Sequence, residues 1–254
     1  YVDASVRDEF AAKVLAEARQ WVAGPGLDAM SKLGPLVSSH QRATVHRHVQ
    51  AAKAAGATVA LGGTLPPESD PGYFYPATVL LDVPHDAVRE ETFGPVVSLT
   101  TFDGSESNAC RLANDSEYGL SASVYTSDAT KAARVGRALR AGQVGLNCYA
   151  MDNAPPECPW VGHKRSGFGY HSGTEGWRQF STPKSLIALP GVEVASGAEP
   201  TGGGEQARST PSAGAPAHAQ QVGGGLGGRA GQWLPIAAAL ALGVVLGVSM
   251  ARRR

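Results

Sequence analysis

Helix-like and strand-like patterns alternate along residues 1–189, and this alternation constrains the fold more than any other feature of the sequence. Apolar residues at helical spacing predict a first helix over residues 5–22, with Ser5 as its N-cap. Similar patterns predict three further helices, over residues 39–55, 105–114 and 129–140. Short runs rich in Val, Leu and Thr predict the strands ATVALGG, ATVLLDV, PVVSLTTF, SASVYTS and QVGLN. Strands that alternate with helices imply a largely parallel sheet covered on both faces, so we predict an α/β fold.

The composition changes sharply near Pro190, where a long run of Gly, Ala, Pro, Ser and polar residues begins. Such a run cannot bury enough apolar surface to offset the entropy lost on ordering. We therefore predict a folded domain over residues 1–189 and a disordered linker over residues 190–231.

The remaining segment, residues 232–254, holds an uncharged apolar run from Trp233 to Ala251 that is followed by three arginines. At about 1.5 Å per residue, a helix of this length nearly spans the ~30 Å hydrocarbon core of a membrane. An aromatic residue at one end and a basic cluster at the other suit the two membrane interfaces. We therefore predict a membrane-spanning helix; the alternative is an apolar tail that lies on a membrane or packs on a partner.

The charges balance at 22 basic and 22 acidic residues, which argues against a nucleic-acid partner because phosphate binding normally requires a basic face. The three cysteines form no CxxC pair, so a reducing compartment is favoured. Cys148 and Cys158 flank a loop without a nearby histidine, and such cysteines are more often small buried hydrophobes than nucleophiles. His46 and His48 lie two residues apart on a predicted helix, which favours a solvated face and argues against a metal site.

Seven motifs follow one another in a characteristic order: GPLVS at Gly34, GATVALGG at Gly56, YFYPATVLLDV at Tyr73, EETFGPVV at Glu90, ANDSEYGLSASVYTSD at Ala113, AGQVGLN at Ala141 and PWVGHKRSGFG at Pro159. Together they closely resemble the C-terminal half of the NAD(P)-dependent aldehyde dehydrogenase superfamily, over residues 1 to about 189. The resemblance implies the three-layer, parallel-sheet α/β catalytic domain of that family, with the N-terminal cofactor domain mostly absent. It also implies oxidation of an aldehyde to a carboxylic acid, with NAD or NADP as the hydride acceptor.

The E-E-x-F-G-P motif carries the cofactor roles that the resemblance implies. Its second glutamate, Glu91, is placed on the nicotinamide ribose, and Phe93 is placed against the nicotinamide. One carboxylate has two oxygens, so it can accept hydrogen bonds from both ribose hydroxyls and orient the ring that receives hydride. Gln41 matches a position that reaches the adenosine ribose in some members; the alternative is a helix glutamine that faces solvent.

The catalytic residues of the family have no counterparts in this sequence. A cysteine thiolate attacks the aldehyde in the family, and a glutamate activates the water that hydrolyses the thioester. Both positions would fall before Tyr1, and the chain opens on YVDASVRDEF without an initiator Met, as a fragment would. We therefore expect no catalytic residue among residues 1–254 and no aldehyde oxidation by this chain alone.

The substrate side is represented by PWVGHKRSG, in which Val161 stands where the family usually has glycine. Trp160 resembles an aromatic residue of the substrate tunnel; the alternative is ordinary packing. The loop before Trp160 helps form the tunnel mouth in the family and here contains three prolines and no clear charged anchor. The resemblance therefore implies an aldehyde substrate without naming it.

Two hypotheses follow for the chain as a whole. It is either the C-terminal part of a membrane-tethered aldehyde dehydrogenase or a non-catalytic assembly or binding module of the same fold at a membrane. We favour the enzyme, tail-anchored with its enzymatic domain in the cytosol. KSLIAL, Lys184 to Leu189, resembles a terminal strand that pairs with a neighbouring subunit, so we expect a homo-oligomer when the enzyme is complete.

Overall fold

The structure of the chain is a computed structural model that describes residues 1–67 and 72–192 and the backbone of residues 246–249. The helices are α1 (Arg7–Ala18), α2 (Ser39–Ala54), α3 (Glu106–Asn114), α4 (Ala129–Ala138), α5 (Ala150–Asn153) and α6 (Gly173–Arg178). The strands are β1 (Val2–Asp3), β2 (Thr58–Leu61), β3 (Thr78–Leu81), β4 (Val96–Ser98), β5 (Thr101–Phe102), β6 (Tyr118–Gly119), β7 (Ser121–Tyr125), β8 (Gln143–Leu146), β9 (Trp160–Val161), β10 (His163–Lys164), β11 (Tyr170–His171) and β12 (Leu246–Ser249). Short 3-10 turns occupy Ala4–Val6 and His85–Val88.

A three-stranded sheet in the order β2-β3-β4 lies between two helices. All four residues of β3 are buried, and its side chains alternate between the two faces. Val79 and Leu81 pack in one apolar cluster with residues of α1, whereas Leu80 packs in another with Val45 and Val49 of α2. A strand that is apolar on both faces requires a helix on each, so the predicted three-layer α/β arrangement is confirmed here.

A second sheet has five parallel strands in the order β5-β1-β12-β7-β8. Ala122 and Val124 of β7 pack against α3 and α4 through Ala109, Leu112 and Val135. These alternate residues of β7 form one apolar face, which is the pattern expected for a strand covered by helices. The predicted parallel sheet is therefore also confirmed.

The segment PVVSLTTF, predicted as one strand, is divided between these two sheets. Residues 96–98 pair with β3 in the first sheet, and residues 101–102 pair with β1 in the second. At the crossing point, Leu99 N donates to Leu80 O at 2.9 Å, and Val2 N donates to Thr100 O at 3.0 Å. Residue composition does not distinguish one strand from two here, because both halves have the same strand-forming side chains.

The helix boundaries agree with the predictions except at the first helix. Ser5 is not an N-cap; Asp3 accepts hydrogen bonds from Ser5 N at 2.9 Å and from Ser5 Oγ at 2.8 Å, and a 3-10 turn precedes α1. The helix ends at Ala18, so Trp21 lies beyond it. In α2 the cap is Ser38, whose Oγ accepts from Gln41 N at 3.1 Å, as the capping chemistry of serine favours.

The predicted membrane helix, Trp233 to Ala251, lies outside the described residues except for its end. Leu246–Ser249 form β12, which pairs in parallel with β1 and β7, so the helix prediction is wrong for these four residues. A strand shares its backbone hydrogen bonds with neighbouring strands, which a helix cannot do. Within the described ranges, no helix is long and apolar enough to cross a membrane.

The chain divides into two compact units, and the second comprises Thr182–Trp233. Only residues 182–192 of this unit are described, and they lie outside helices and strands. The predicted strand Lys184 to Leu189 is therefore not formed in this structure, and Leu186, Ile187 and Leu189 are exposed. The rest of the predicted linker, residues 193–231, is outside the described ranges.

Candidate cofactor site

The candidate site is centred on the loop from Arg89 to Pro95, which joins the second 3-10 turn to β4. Phe93 has a φ of 45°, in the left-handed region that non-glycine residues rarely adopt. Its side chain is 67% exposed, whereas Pro95 two residues later is buried. An aromatic ring held outward by a strained backbone is a costly arrangement that commonly marks a functional loop.

Helix α2 holds the outer part of this loop through three residues on one face. Gln41 Nε2 donates to Thr92 O at 3.2 Å and to Phe93 O at 3.0 Å. One turn further, Val45 contacts Gly94 so closely that a Cβ on the glycine would lie 2.5 Å from Val45 Cγ2. His48 Nδ1 lies 3.3 Å from Thr92 Oγ1. Residues spaced by four and three lie on one helical face, so α2 supports the backbone that carries Phe93.

These contacts also place three residues that the sequence singled out. The amide nitrogen of Gln41 donates to the two loop carbonyls. A contact between Gln41 and an adenosine ribose stays a prediction. The prediction that His46 and His48 form a solvated face is wrong, because both are half-buried. His46 Nδ1 lies 3.2 Å from the hydroxyl of the buried Tyr75. Across residues 1–67 and 72–192, no group of three or more potential ligands could hold a metal ion.

The two adjacent glutamates have different surroundings. Glu90 Oε1 accepts a hydrogen bond from Tyr118 Oη at 2.8 Å, and this bond raises the pKa of the tyrosine. Glu91 is half-buried and has no hydrogen-bond or ion-pair partner in the part of the chain that the structure describes. Burial, and secondarily the charge of Glu90, raises the pKa of Glu91. A partly desolvated carboxylate without a partner is a hydrogen-bond acceptor available to a ligand.

The start of the loop is fixed by a cluster around Asp115, the residue that follows α3. His85 Nε2 lies 2.9 Å from Asp115 Oδ2, and Arg89 Nη2 donates to Asp115 Oδ1 at 3.2 Å. On the other side of the imidazole, Tyr1 Oη lies 2.9 Å from His85 Nδ1. The hydrogen bond from His85 is the largest cause of the lowered pKa of Asp115. Two residues of the 85–89 segment are thus joined to the end of α3.

Sequence reasoning missed the roles of Tyr118 and Asp115, although both stand in the motif ANDSEYGLSASVYTSD. They lie 28 and 30 residues along the chain from their partners Glu90 and His85. Their presence in a motif recognised by its resemblance was the available signal. No periodicity or local pattern indicates such distant pairings, because periodicity reports only on neighbours within one element.

Trp160 lies in β9, which pairs antiparallel with β11. Its ring meets the imidazole of His171 edge to face, with centroids 5.6 Å apart and planes at 87°. The indole Nε1 is buried and has no acceptor among the described residues. A buried N–H without an acceptor is costly, which is compatible with a ligand that supplies one. The structure does not bring Trp160 into contact with Glu91, Phe93 or Gln41 through any hydrogen bond between described residues.

The three cysteines are all free thiols, and none pairs with another. Cys110 in α3 is half-buried; burial, followed by the charge of Glu106, raises its pKa. Cys148 is also half-buried, whereas Cys158 is exposed, so the prediction of a small buried hydrophobe is wrong for Cys158. A thiol with a raised pKa forms little of the nucleophilic thiolate near neutral pH.

Comparisons with known proteins agree with this fold. The sequence model of the aldehyde dehydrogenase family matches residues 1–186. A succinate-semialdehyde dehydrogenase from Paenarthrobacter nicotinovorans is 42% identical over 192 residues, which cover 74% of this chain and 42% of the relative. A betaine aldehyde dehydrogenase from Rhizobium leguminosarum bv. trifolii is 38% identical over 189 residues, which cover 73% of this chain and 38% of the relative.

Among solved structures, a betaine aldehyde dehydrogenase point mutant from Staphylococcus aureus in complex with NAD+ matches with a TM-score of 0.69 and 34% identity, covering 76% of this chain and 40% of that one. An aldehyde dehydrogenase from Bacillus cereus matches with a TM-score of 0.63 and 35% identity, covering 68% of this chain and 35% of that one. The chain thus spans about 40% of the length of the relatives it matches. With a family match over most of its length and the corresponding fold, this chain belongs to the aldehyde dehydrogenase family.

Proposed function

We propose that this chain forms part of an NAD(P)-dependent aldehyde dehydrogenase and contributes the nicotinamide-side and substrate-side walls of its site. The observation that carries the proposal is Glu91, a half-buried carboxylate without a protein partner among the described residues. It stands beside an exposed aromatic ring held in a strained conformation. Family membership and relatives solved with NAD+ support the choice of cofactor.

Glu91 suits the nicotinamide ribose because its chemistry complements that sugar. The ribose offers two neighbouring hydroxyl donors, and a carboxylate offers two acceptor oxygens. Hydrogen bonds to a charged acceptor are stronger than neutral ones, and they would offset the desolvation that raises the pKa of Glu91. The role of Glu91 in this chain is therefore to orient the ribose and, through it, the nicotinamide.

Phe93 supplies an apolar surface beside this acceptor. Its exposed ring suits a flat partner such as nicotinamide, since aromatic groups stack or meet edge to face. When bound, NAD(P) would accept the hydride that leaves the aldehyde carbon. Gln41 supports the loop through Thr92 O and Phe93 O, and a contact of its amide with the adenosine ribose completes the proposed cofactor set.

Trp160 is proposed to line the aldehyde-binding side. Its unpaired indole N–H can donate to an oxygen, and its ring provides apolar surface. Relatives carry names for succinate semialdehyde, betaine aldehyde and aminoaldehyde substrates, whose common reacting group is the aldehyde. We therefore propose an aldehyde as the substrate class and its carboxylic acid as the product.

We expect residues 1–254 alone to show no aldehyde oxidation. None of Cys110, Cys148 and Cys158 matches the family nucleophile by its place in the motifs. The thiol of Cys110 also has a raised pKa, which lowers its thiolate fraction. Incubating the full chain with NAD or NADP and a panel of aldehydes, while following the absorbance of the reduced cofactor, tests this expectation. Turnover that disappears on Cys148→Ser or Cys158→Ser would contradict it.

Cofactor binding is tested separately by saturation-transfer NMR, which detects weak ligands, on the full chain with NAD and with NADP. We expect saturation to reach the nicotinamide and its ribose. Glu91→Gln should weaken the ribose signal, because an amide offers one acceptor oxygen and no charge. Glu9→Gln, an equal charge change at an exposed position of α1, is the matched control and should leave it unchanged. Absence of any transfer in the wild-type chain would favour the non-catalytic module, and an unchanged signal in Glu91→Gln would contradict the ribose role.

A further inference from the structure

Two carboxylates next to each other in sequence pose a positioning problem for the site. Like charges at close range repel, and the charge of Glu90 contributes to the raised pKa of Glu91. A ligand that needs one carboxylate in a defined place requires the other to be held away. In this structure the holding group is the Tyr118 hydroxyl, which donates to Glu90 Oε1 at 2.8 Å.

Tyr118 is itself fixed by the motif that contains Trp160. Strand β6 pairs antiparallel with β10, so that Tyr118 lies opposite Lys164 and Gly119 lies opposite His163. Ser166 Oγ accepts a hydrogen bond from Gly119 N at 2.9 Å. These contacts position the backbone on which Tyr118 stands.

Two cations from the same motif add to this support. Lys164 Nζ donates to Asn114 O at 3.0 Å and to Ser116 O at 2.9 Å, which fixes the turn before β6. The Arg165 guanidinium carbon lies 5.9 Å from the centre of the Tyr118 ring, within the range of a cation–π contact. Arg165 also forms an ion pair with Glu117, the residue before Tyr118. The tyrosine is therefore held by the substrate-side motif on one side and holds Glu90 on the other.

We propose that Tyr118 is a positioning residue of the cofactor site: by holding Glu90 through its hydroxyl, it leaves Glu91 as the carboxylate that meets the ribose. The inference rests on the proposed function of Glu91. Tyr118 also joins the loop from Arg89 to Pro95, the cofactor loop, to the PWVGHKRSG motif through one side chain. The nicotinamide-side and substrate-side walls of the site are thereby positioned relative to each other. In this role Tyr118 contacts neither the aldehyde nor the nicotinamide.

The test uses the full chain and replaces Tyr118 by Phe, which removes the hydroxyl and keeps the ring. Tyr73→Phe is the matched control, since the Tyr73 ring is exposed, lies 6.0 Å from the Arg42 guanidinium carbon and has no hydroxyl hydrogen bond among the described residues. We expect Tyr118→Phe to weaken binding of NAD about fivefold, the effect of losing one net hydrogen bond. Similar thermal midpoints for the two variants would show that the loss does not come from unfolding.

A second measurement reports on Glu91 without any ligand. Carbon-13 NMR titration of the glutamate side chains gives the pKa of Glu91 in each variant. In Tyr118→Phe, Glu90 is no longer held away from Glu91, so its charge should move the pKa of Glu91 further up from the usual range. Tyr73→Phe should leave it where it is in the wild-type chain. An unchanged Glu91 titration in Tyr118→Phe would overturn the proposal, even if no cofactor bound and the proposed function itself failed.

A double-mutant cycle separates positioning from a general effect on the site. In the Tyr118→Phe background, Glu90→Ala should restore the NAD binding that Tyr118→Phe loses, because the carboxylate that Tyr118 holds away from Glu91 is then absent. A double variant that binds NAD as weakly as Tyr118→Phe alone would show that Tyr118 acts independently of Glu90 and would overturn the proposal.

Discussion

The cofactor loop, residues 89–95, lies within the family match, as does the stretch from Phe168 to Leu189 up to residue 186, but the two differ in how this chain supports them. The loop is held from three directions, by α2, by Asp115 after α3 and by Tyr118 in β6. In the later stretch, by contrast, Phe168, Phe180 and Ile187 are 101%, 91% and 95% exposed.

A family match therefore does not tell which segments a chain stabilises by its own contacts. Large exposed apolar side chains are commonly covered by another molecule. The loop should therefore keep its conformation in the isolated chain, whereas the stretch from Phe168 to Leu189 should respond to association. Four measurements of stability test this contrast, and their expected effects decrease in the order given.

The largest effect is expected for Gly94→Ala in the loop. The new Cβ would lie 2.5 Å from Val45 Cγ2, and Val45 is fully buried, so the helix or the loop must shift. Overpacking of this kind costs about 1–3 kcal/mol of unfolding free energy. Urea denaturation measures the loss, with Gly34→Ala as the control because its Cβ would meet open space. Equal stability of the two variants would mean that the loop is not packed on α2.

A smaller, pH-dependent effect is expected at Asp115. Its folded-state pKa is lowered, mainly by the hydrogen bond with His85, so its contribution to stability is present above the usual aspartate pKa of about 3.9. That contribution is lost as pH falls through the folded-state pKa. Asp115→Asn should lower stability at neutral pH and reduce the acid sensitivity of the chain. Thermal midpoints recorded from pH 7 down to pH 3 measure this, and parallel curves for wild type and variant would contradict it.

A smaller effect, a gain of stability at pH 7 instead of a loss, is expected for Glu91→Gln. The pKa of Glu91 is raised by burial and by Glu90, so the stability linked to its protonated form is present below the usual glutamate pKa and is lost as pH rises through the folded-state pKa. At pH 7 the variant should be slightly more stable than the wild type. The two should converge below about pH 4, where the glutamate is protonated in both states. A variant less stable at pH 7 would indicate a structural partner for Glu91.

The smallest effect on stability is expected for Phe180→Ser and Ile187→Ser. Both side chains are exposed, so the unfolding free energy should change by less than about 0.5 kcal/mol. Self-association should nevertheless fall, because exposed apolar groups favour burial against a second copy of the chain. Sedimentation velocity at increasing concentration measures this. A wild-type chain that stays monomeric at high concentration would contradict the association expected for this stretch.

The predictions that succeeded depended on local chemistry. Helix α2 was expected over residues 39–55 and is observed as Ser39–Ala54, because its apolar periodicity and the Ser38 cap lie within one segment. For the same reason α3 begins after Ser105, whose hydroxyl accepts from Asn108 N at 3.3 Å. Side chains and caps of this kind act on residues three or four positions away, so the sequence displays them directly.

The failures arose where distant segments decided the outcome. PVVSLTTF reads as one strand, yet β3 pairs with its first half and β1 with its second. Likewise, Leu246–Ser249 read as part of a helix but pair with β7 in parallel. Apolar residues of similar composition suit either state, and the partner strands that decide between them lie far away in sequence.

The amino-acid sequence was sufficient to predict the alternation of helices and strands and the three-layer α/β class, and it contains the order of motifs that identifies the family. It also singled out Glu91, Phe93, Gln41 and Trp160, whose ligand roles stay predictions. Only the tertiary structure showed that Tyr118 holds Glu90, and that α2 supports the backbone of Phe93. The physical reason is that a hydrogen bond depends on the distance between two atoms in space, and residues 28 or 52 positions apart meet only after the sheets and helices have packed.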